Sequence, residues 1–235
     1  MDTLAELRQA VQSDLTVGDE STLYSPTTID LAINRAYRKA GALFNWPELM
    51  DAKKTTTVSG QDYYDYPANW RSNSIWKLRV NYERYGEDPD GSPLSFDDYL
   101  NWKEDYPDST DKKWGNQERR YFISPTPTTN SLLICVWGFM VTSTLTSDAS
   151  VTIFSHSMPE GNEAIALEAV AILKNKGYDE KAGEFRSLEA KQILSIAWNK
   201  IVKEKAKYEK NQPFFDVPNF FSDTSTKDLR GLFDV

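Results

Sequence analysis

Leu4, Leu7, Val11 and Leu15 recur at helical spacing near the start of the chain, and Thr3 and Glu6 have capping-box spacing, so a first helix is predicted there. A loop from Thr16 to Tyr24 ends at Ser25-Pro26, an N-cap residue followed by the proline that suits a first helical position. The next helix places Ile29, Ile33, Ala36, Tyr37, Ala40, Leu43 and Phe44 on one face and stops at Trp46-Pro47. The rhythm then changes. Lys53 to Val58, rich in Thr, and Tyr63 to Tyr66 flank the turn Ser59-Gly60-Gln61-Asp62 and predict a hairpin. Ile75 to Tyr82 alternates, with Ile75, Lys77 and Arg79 on one side and Trp76, Leu78 and Val80 on the other. Glu87 to Gly91 is a turn by composition, and Ser95 with Asp98 starts a short helix toward Tyr106. Arg120 to Ser124 and Leu132 to Phe139 are expected to pair across a Pro-Thr-Pro loop, with Thr142 to Phe154 as a candidate further strand. Helical spacing returns at Ser157, placed to cap with Glu160. Ile165, Ala169, Ile172 and Leu173 stripe that helix, and Gly177 ends it. After Asp179 a longer helix carries Phe185, Leu188, Ile193, Ile196, Ala197 and Ile201 toward Tyr208.

The order of these elements predicts an α+β protein. Residues 1–50 and 157–210 form a helical bundle from both ends of the chain, residues 51–156 an inserted β-rich module, and residues 211–235 an extended C-terminal tail. In the tail, Pro213 and Pro218 preset an extended path along which the pairs Phe214-Phe215 and Phe220-Phe221 repeat. Apolar surface of this kind needs a cover. The tail is therefore read as a strap that docks on a neighbouring subunit or partner through Phe214, Phe215, Val217, Phe220, Phe221, Leu229, Leu232 and Phe233; the alternative is packing on its own domain.

The chain has 235 residues, 26% of them charged and 13% aromatic, with a formal net charge of −8. Tight binding to nucleic acid calls for a basic patch to offset phosphate charge, and none stands out along the chain. The densest basic run, Lys200 to Lys210, is interleaved with Glu204 and Glu209 and reads as a solvated helix face. A single cysteine, Cys135, rules out an intramolecular disulfide and suits a reducing compartment. The first residues lack the basic and apolar regions of a signal peptide, and no apolar stretch approaches the length of a membrane span.

Catalytic patterns are missing. His156 is the only histidine and no Gly-x-Ser-x-Gly turn accompanies it, while its one conceivable thiol partner, Cys135, sits in a predicted strand. One Cys and one His do not make a structural zinc site. The acid pairs Asp97-Asp98 and Glu104-Asp105 share a short helix and read as its solvated face rather than as carboxylates flanking a cleft. Asp88 and Asp90 resemble the start of a calcium loop, but its twelfth position is Tyr99 rather than Glu. No glycine-rich phosphate cradle occurs. Neither an enzyme nor a metal or organic cofactor is expected.

The arrangement resembles the head–tail adaptor (connector or gatekeeper ring) proteins of tailed bacteriophages. The resemblance is carried by Ile29-Asp-Leu-Ala-Ile-Asn-Arg-Ala-Tyr ending near Trp46-Pro47, by Thr55-Thr-Thr-Val-Ser-Gly-Gln-Asp-Tyr-Tyr-Asp-Tyr-Pro, by Ser74-Ile-Trp-Lys-Leu-Arg-Val, by Arg120-Tyr-Phe-Ile-Ser-Pro-Thr-Pro, and by the helix opening at Pro159-Glu-Gly-Asn-Glu-Ala-Ile. It spans roughly Leu4 to Tyr208 and is one of order and texture; the β-rich middle is larger than in the smallest members. It implies a virion protein of the neck, assembled in the host cytoplasm. Its copies would form a dodecameric ring that touches the portal protein on one side and a tail, stopper or nozzle protein on the other. Genomic DNA would pass through without tight binding, and no membrane would be involved. A competing expectation, from the residues alone, is a tail-associated carbohydrate- or receptor-binding module in which Trp70, Trp76, Trp102 and Trp114 make an aromatic platform. The terminal helices weigh against it, because such modules are usually all-β.

Overall fold

The computed structural model describes residues 3–16, 24–86, 91–176 and 180–211. Their order is α1 (Leu4–Thr16), α2 (Pro26–Leu43), a 3-10 turn (Pro47–Leu49), β1 (Met50–Thr56), β2 (Tyr63–Asp65), β3 (Lys77–Val80), β4 (Glu83–Tyr85), β5 (Leu94–Ser95), α3 (Phe96–Asp105), β6 (Lys113–Gln117), β7 (Arg120–Ser124), β8 (Leu133–Phe139), α4 (Pro159–Lys176) and α5 (Glu180–Asn211). The class is α+β, as expected. Contacts divide the described residues into two compact units, Met1–Leu49 with Val141–Asn211 and Met50–Met140.

In the helical unit the predicted starts of α1 and α2 are present. Thr3 Oγ1 accepts the Glu6 N–H at 3.3 Å while the Glu6 carboxylate accepts the Thr3 N–H at 3.4 Å. Ser25 caps α2 by accepting the Thr28 N–H at 3.3 Å, with Pro26 opening the helix. Leu4, Leu7, Val11 and Leu15 are all buried, each contributing about 1.5–3 kcal/mol of transfer free energy. Arg8 then ties α1 to α2, its guanidinium donating to both Asp30 oxygens at 2.7 and 2.8 Å. Beyond α2, Trp46 is fully buried and donates its indole N–H to the Ala40 carbonyl at 2.8 Å. Its ring meets Phe44, Phe154 and Trp198 edge-on, with centroids 5.4, 5.0 and 5.5 Å away. The chain stop read at Trp46-Pro47 is thus also a packing hub.

Two helical expectations are corrected. Ser157 does not cap α4: its hydroxyl donates to Glu48 Oε1 at 2.5 Å, α4 begins at Pro159, and Glu160 instead accepts from Lys200 Nζ at 2.6 Å. The face expected for α5 holds only in part. Ala197 is buried as expected, but Phe185, Leu188 and Ile196 are 65%, 56% and 56% exposed, and Ala190, Leu194 and Trp198 are buried in their place. The reason lies in α4, whose Ala164, Ile165, Ala166, Ala169, Val170, Ala171 and Leu173 are buried. Gly183, Ala190 and Ala197, seven residues apart, form a seam of small side chains that lets α5 come close; a Cβ on Gly183 would collide with the Asn175 side chain and stand 3.1 Å from the Ala171 carbonyl oxygen. Gly177, read as the end of α4, lies outside the described residues.

Thr142 to Phe154 adds no strand to a sheet. Residues 141–156, grouped with the β module on sequence grounds, lie in the helical unit. Side chains of α2 satisfy their backbone in place of a ladder: the buried Asn34 accepts the Leu145 N–H at 2.8 Å and donates to the Leu145 carbonyl at 3.1 Å, and Tyr37 Oη accepts the Ile153 N–H at 3.0 Å.

The β unit holds two four-stranded sheets, ordered β1-β8-β3-β4 and β2-β7-β6-β5. Among the described strand pairs, only β5 and β6 run parallel. Both sheets feed one core: Leu78, Val80, Tyr85, Ile134 and Val136 from the first, Tyr64, Trp114, Tyr121 and Ile123 from the second, with Tyr66, Trp70 and Ile75. Two expected pairings therefore fail. β1 pairs with β8 and β2 with β7, so residues 53–66 are not a hairpin; β7 and β8 likewise lie in different sheets. The two connections pass between sheets together and bond to each other, the Thr57 N–H donating to Leu132 O at 2.8 Å and the Gly60 N–H to Pro127 O at 2.8 Å. The true tight hairpins are elsewhere. Asn81 and Tyr82, with φ of 48° and 68°, turn β3 into β4, and Glu118 at φ 51° begins the turn from β6 to β7. Helix α3 starts where predicted, its Ser95 cap accepting the Asp98 N–H at 3.1 Å.

Candidate interaction surface

The period of two along β8 sends Ile134 and Val136 into the core and turns Leu133, Cys135 and Trp137 to the other face. Register then decides what joins them. Lys54 stands opposite Cys135 on β1, Lys77 opposite Trp137 and Arg79 opposite Cys135 on β3, and Arg84 opposite Arg79 on β4. With Met50, Ala52, Thr56 and Phe139, these complete the outer face of the sheet, on which no strand residue is acidic. Four cations of a chain with net charge −8 are thus gathered on one face.

Aromatic rings lie among them. Lys77 Nζ is 5.6 Å from the Trp137 ring centroid and 5.9 Å from that of Trp76, and the Arg79 guanidinium carbon is 6.0 Å from Trp137. Such contacts hold a cation at small desolvation cost. Lys77, expected on the polar side of its strand, is only 8% exposed. The half-buried Cys135 thiol lines the same face. Reading along the chain misses this surface because Lys54, the Lys77/Arg79 pair, Arg84 and Trp137 come from separate segments; only the ladder brings them together.

A concavity lies in the helical unit. Ala36, Ala40 and Leu43 of α2, Ala164 of α4, and Ala190 and Leu194 of α5 line a cavity of about 410 Å³. Its edge carries the Lys39–Glu168 ion pair at 2.5 Å. Small side chains leave this space open.

The residues singled out for chemistry are scattered. Asp97, Asp98, Glu104 and Asp105 are exposed on α3, where Asp98 accepts from its own cap, Ser95 Oγ, at 2.6 Å. Cys135 stands on β8 in one unit and the exposed His156 precedes α4 in the other. Asp88 and Asp90 lie outside the described residues, as do all the proposed tail contacts, Phe214, Phe215, Val217, Phe220, Phe221, Leu229, Leu232 and Phe233. Among the described residues, no group of three or more His, Cys, Asp or Glu could hold a metal ion, and no helix is long and apolar enough to cross a membrane. The aromatic platform of the competing reading does not assemble, because Trp70 and Trp114 are fully buried, the latter donating its indole N–H to Gly91 O at 3.0 Å.

Comparison with known proteins agrees with the resemblance read from the residues. The profile of the SU10 adaptor protein family matches residues 2–204. No curated protein matches the chain. The match covers most of the sequence, and the chain belongs to the SU10 adaptor protein family.

Proposed function

We propose that this member of the SU10 adaptor protein family is a virion structural protein that forms a ring beneath the portal, joins the DNA-filled head to the tail and extends the DNA channel. The observation that carries the reading is the family match across residues 2–204, which makes the chain a phage structural adaptor and a virion component that interacts with head and tail proteins. In this reading the helices of both chain ends act as a bundle, the β unit is an insertion within it, and the chain does no catalysis. Its partners are the portal protein, a tail or stopper protein and further copies of itself in a dodecameric ring. A net charge of −8 suits a channel wall along which DNA slides without adhering. Residues 211–235 act as the docking strap. Each of Phe214, Phe215, Phe220 and Phe221 would add about 1.5–3 kcal/mol on burial before ordering costs, and repetition around a ring converts weak straps into avidity.

Mass photometry of the full chain, alone and mixed with a portal ring, tests this. The expected result is a monomer that adds to the portal as a near-complete set of twelve subunits or so. A discrete small oligomer that ignores the portal would overturn it.

A further inference from the structure

The outer face of the β1-β8-β3-β4 sheet gathers Lys54, Lys77, Arg79 and Arg84, with Lys77 and Arg79 over the Trp137 ring and Lys77 also over that of Trp76, in a protein that is otherwise acidic. A surface of this composition fits an extended peptide carrying aromatic and carboxylate side chains close together. We infer that it receives residues 212–235 of this same chain. The inference rests on the reading of that segment as a docking strap and names its receptor.

The two surfaces match in chemistry. Residues 212–235 carry Asp216, Asp223, Asp228 and Asp234 against Lys227 and Arg230 only. Each phenylalanine pair is followed closely by an acid, in Phe214-Phe215-Asp216 and Phe220-Phe221-Ser222-Asp223. The face presents the complementary pattern, with the exposed Lys54 and the half-buried Arg79 both opposite Cys135 and the Arg79 guanidinium over the half-buried Trp137 ring. Phenylalanine rings pack on indoles, and carboxylates accept charge-assisted hydrogen bonds from Lys and Arg. The pairs stand six positions apart, about 20 Å when extended. That is enough to cross four strands spaced about 4.8 Å apart. Pro213 and Pro218 withdraw backbone donors, so recognition falls to side chains rather than to strand addition at an edge. A nucleic acid would meet the same cations but would have to approach a body of net charge −8.

The test uses the full chain with a photoreactive benzophenone side chain, Phe221→p-benzoylphenylalanine, and isotope-mixed copies to show which copy donates the tail. Crosslinks are expected on β1, β3 and β8 peptides around Lys54, Arg79 and Trp137, within a copy or between copies. The surface double variant K54E/R84E should cut their yield about tenfold. Charge exchange in the tail, Asp216→Lys with Asp223→Lys, should restore the yield in that background, which a misfolded sheet would not allow. Crosslinks elsewhere, or a yield indifferent to K54E/R84E, would overturn the inference. So would capture of a short DNA duplex that K54E/R84E abolishes while tail crosslinking stays unchanged. Portal addition, measured on the same samples, separates the two proposals. If it persists without sheet crosslinks, only the receptor is wrong; if the crosslinks persist without it, only the adaptor ring is wrong.

Discussion

The helical unit and the β unit solve the same problem of burying apolar surface in ways that leave different traces in the sequence. In the helices, most of what positions a side chain lies within one or two turns: Ser25 and Thr28 start α2, and Ile29, Ile33 and Ala36 form the face it buries. In the sheets, the deciding partner is remote. Lys54 owes its place to Cys135, and Cys135 faces Arg79 as well. Local pattern therefore specifies elements in both units but neighbours mainly in the first.

The largest effect tests whether the helical unit depends on its aromatic hub. Trp46→Ala removes a fully buried indole that touches Phe44, Phe154 and Trp198 and bonds the Ala40 carbonyl. Urea denaturation should show a loss of about 3–5 kcal/mol. A loss below about 1 kcal/mol, in the range of ordinary substitutions, would mean that the hub is dispensable.

A sharper version compares two leucines on α5. Leu194 is buried in the interface with α4, and Leu188 is 56% exposed. Leu194→Ala should cost about 2–5 kcal/mol. Leu188→Ala should change stability by no more than about 0.5 kcal/mol. Equal costs in thermal or chemical melts would return Leu188 to the core, where hydrophobic spacing first placed it.

That misplacement shows what the residues could and could not reveal. Helix starts were legible because capping is local: Thr3 with Glu6, Ser25 with Pro26, and Ser95 with Asp98 all do what their spacing suggests. Ser157 failed because a competing acceptor, Glu48, lies far away in sequence. The α5 face was legible only at Ala197, because size outweighed hydrophobicity elsewhere, the seam of Gly183, Ala190 and Ala197 permitting an approach that Phe185 and Leu188 would block. Strands β1, β2, β7 and β8 were visible as segments, yet their connections cross between sheets where a turn signal suggested a hairpin. The cationic face was invisible for the same reason, since no stretch of chain contains it.

The smallest expected effect concerns how α4 is joined to α5. Glu160, in the first turn of α4, accepts a hydrogen bond from Lys200 at 2.6 Å, and this bond together with a backbone N–H holds its carboxyl below the usual glutamate range despite some opposing desolvation. A carboxyl depressed in the folded state stabilises the protein above its unfolded pKa, and that contribution disappears as pH falls through the folded value. The bridge should therefore act in full at neutral pH and vanish in acid below the ordinary glutamate range. Both side chains are more than two-fifths exposed, so water screens the pair. Glu160→Gln should cost only a few tenths of a kcal/mol at pH 7 and nothing once wild-type Glu160 is itself protonated. Thermal melts of the two proteins at neutral and acidic pH should converge as pH falls. Curves that stay parallel would show that the glutamine acts by altered packing or capping at the start of α4, and that the ion pair contributes nothing measurable there.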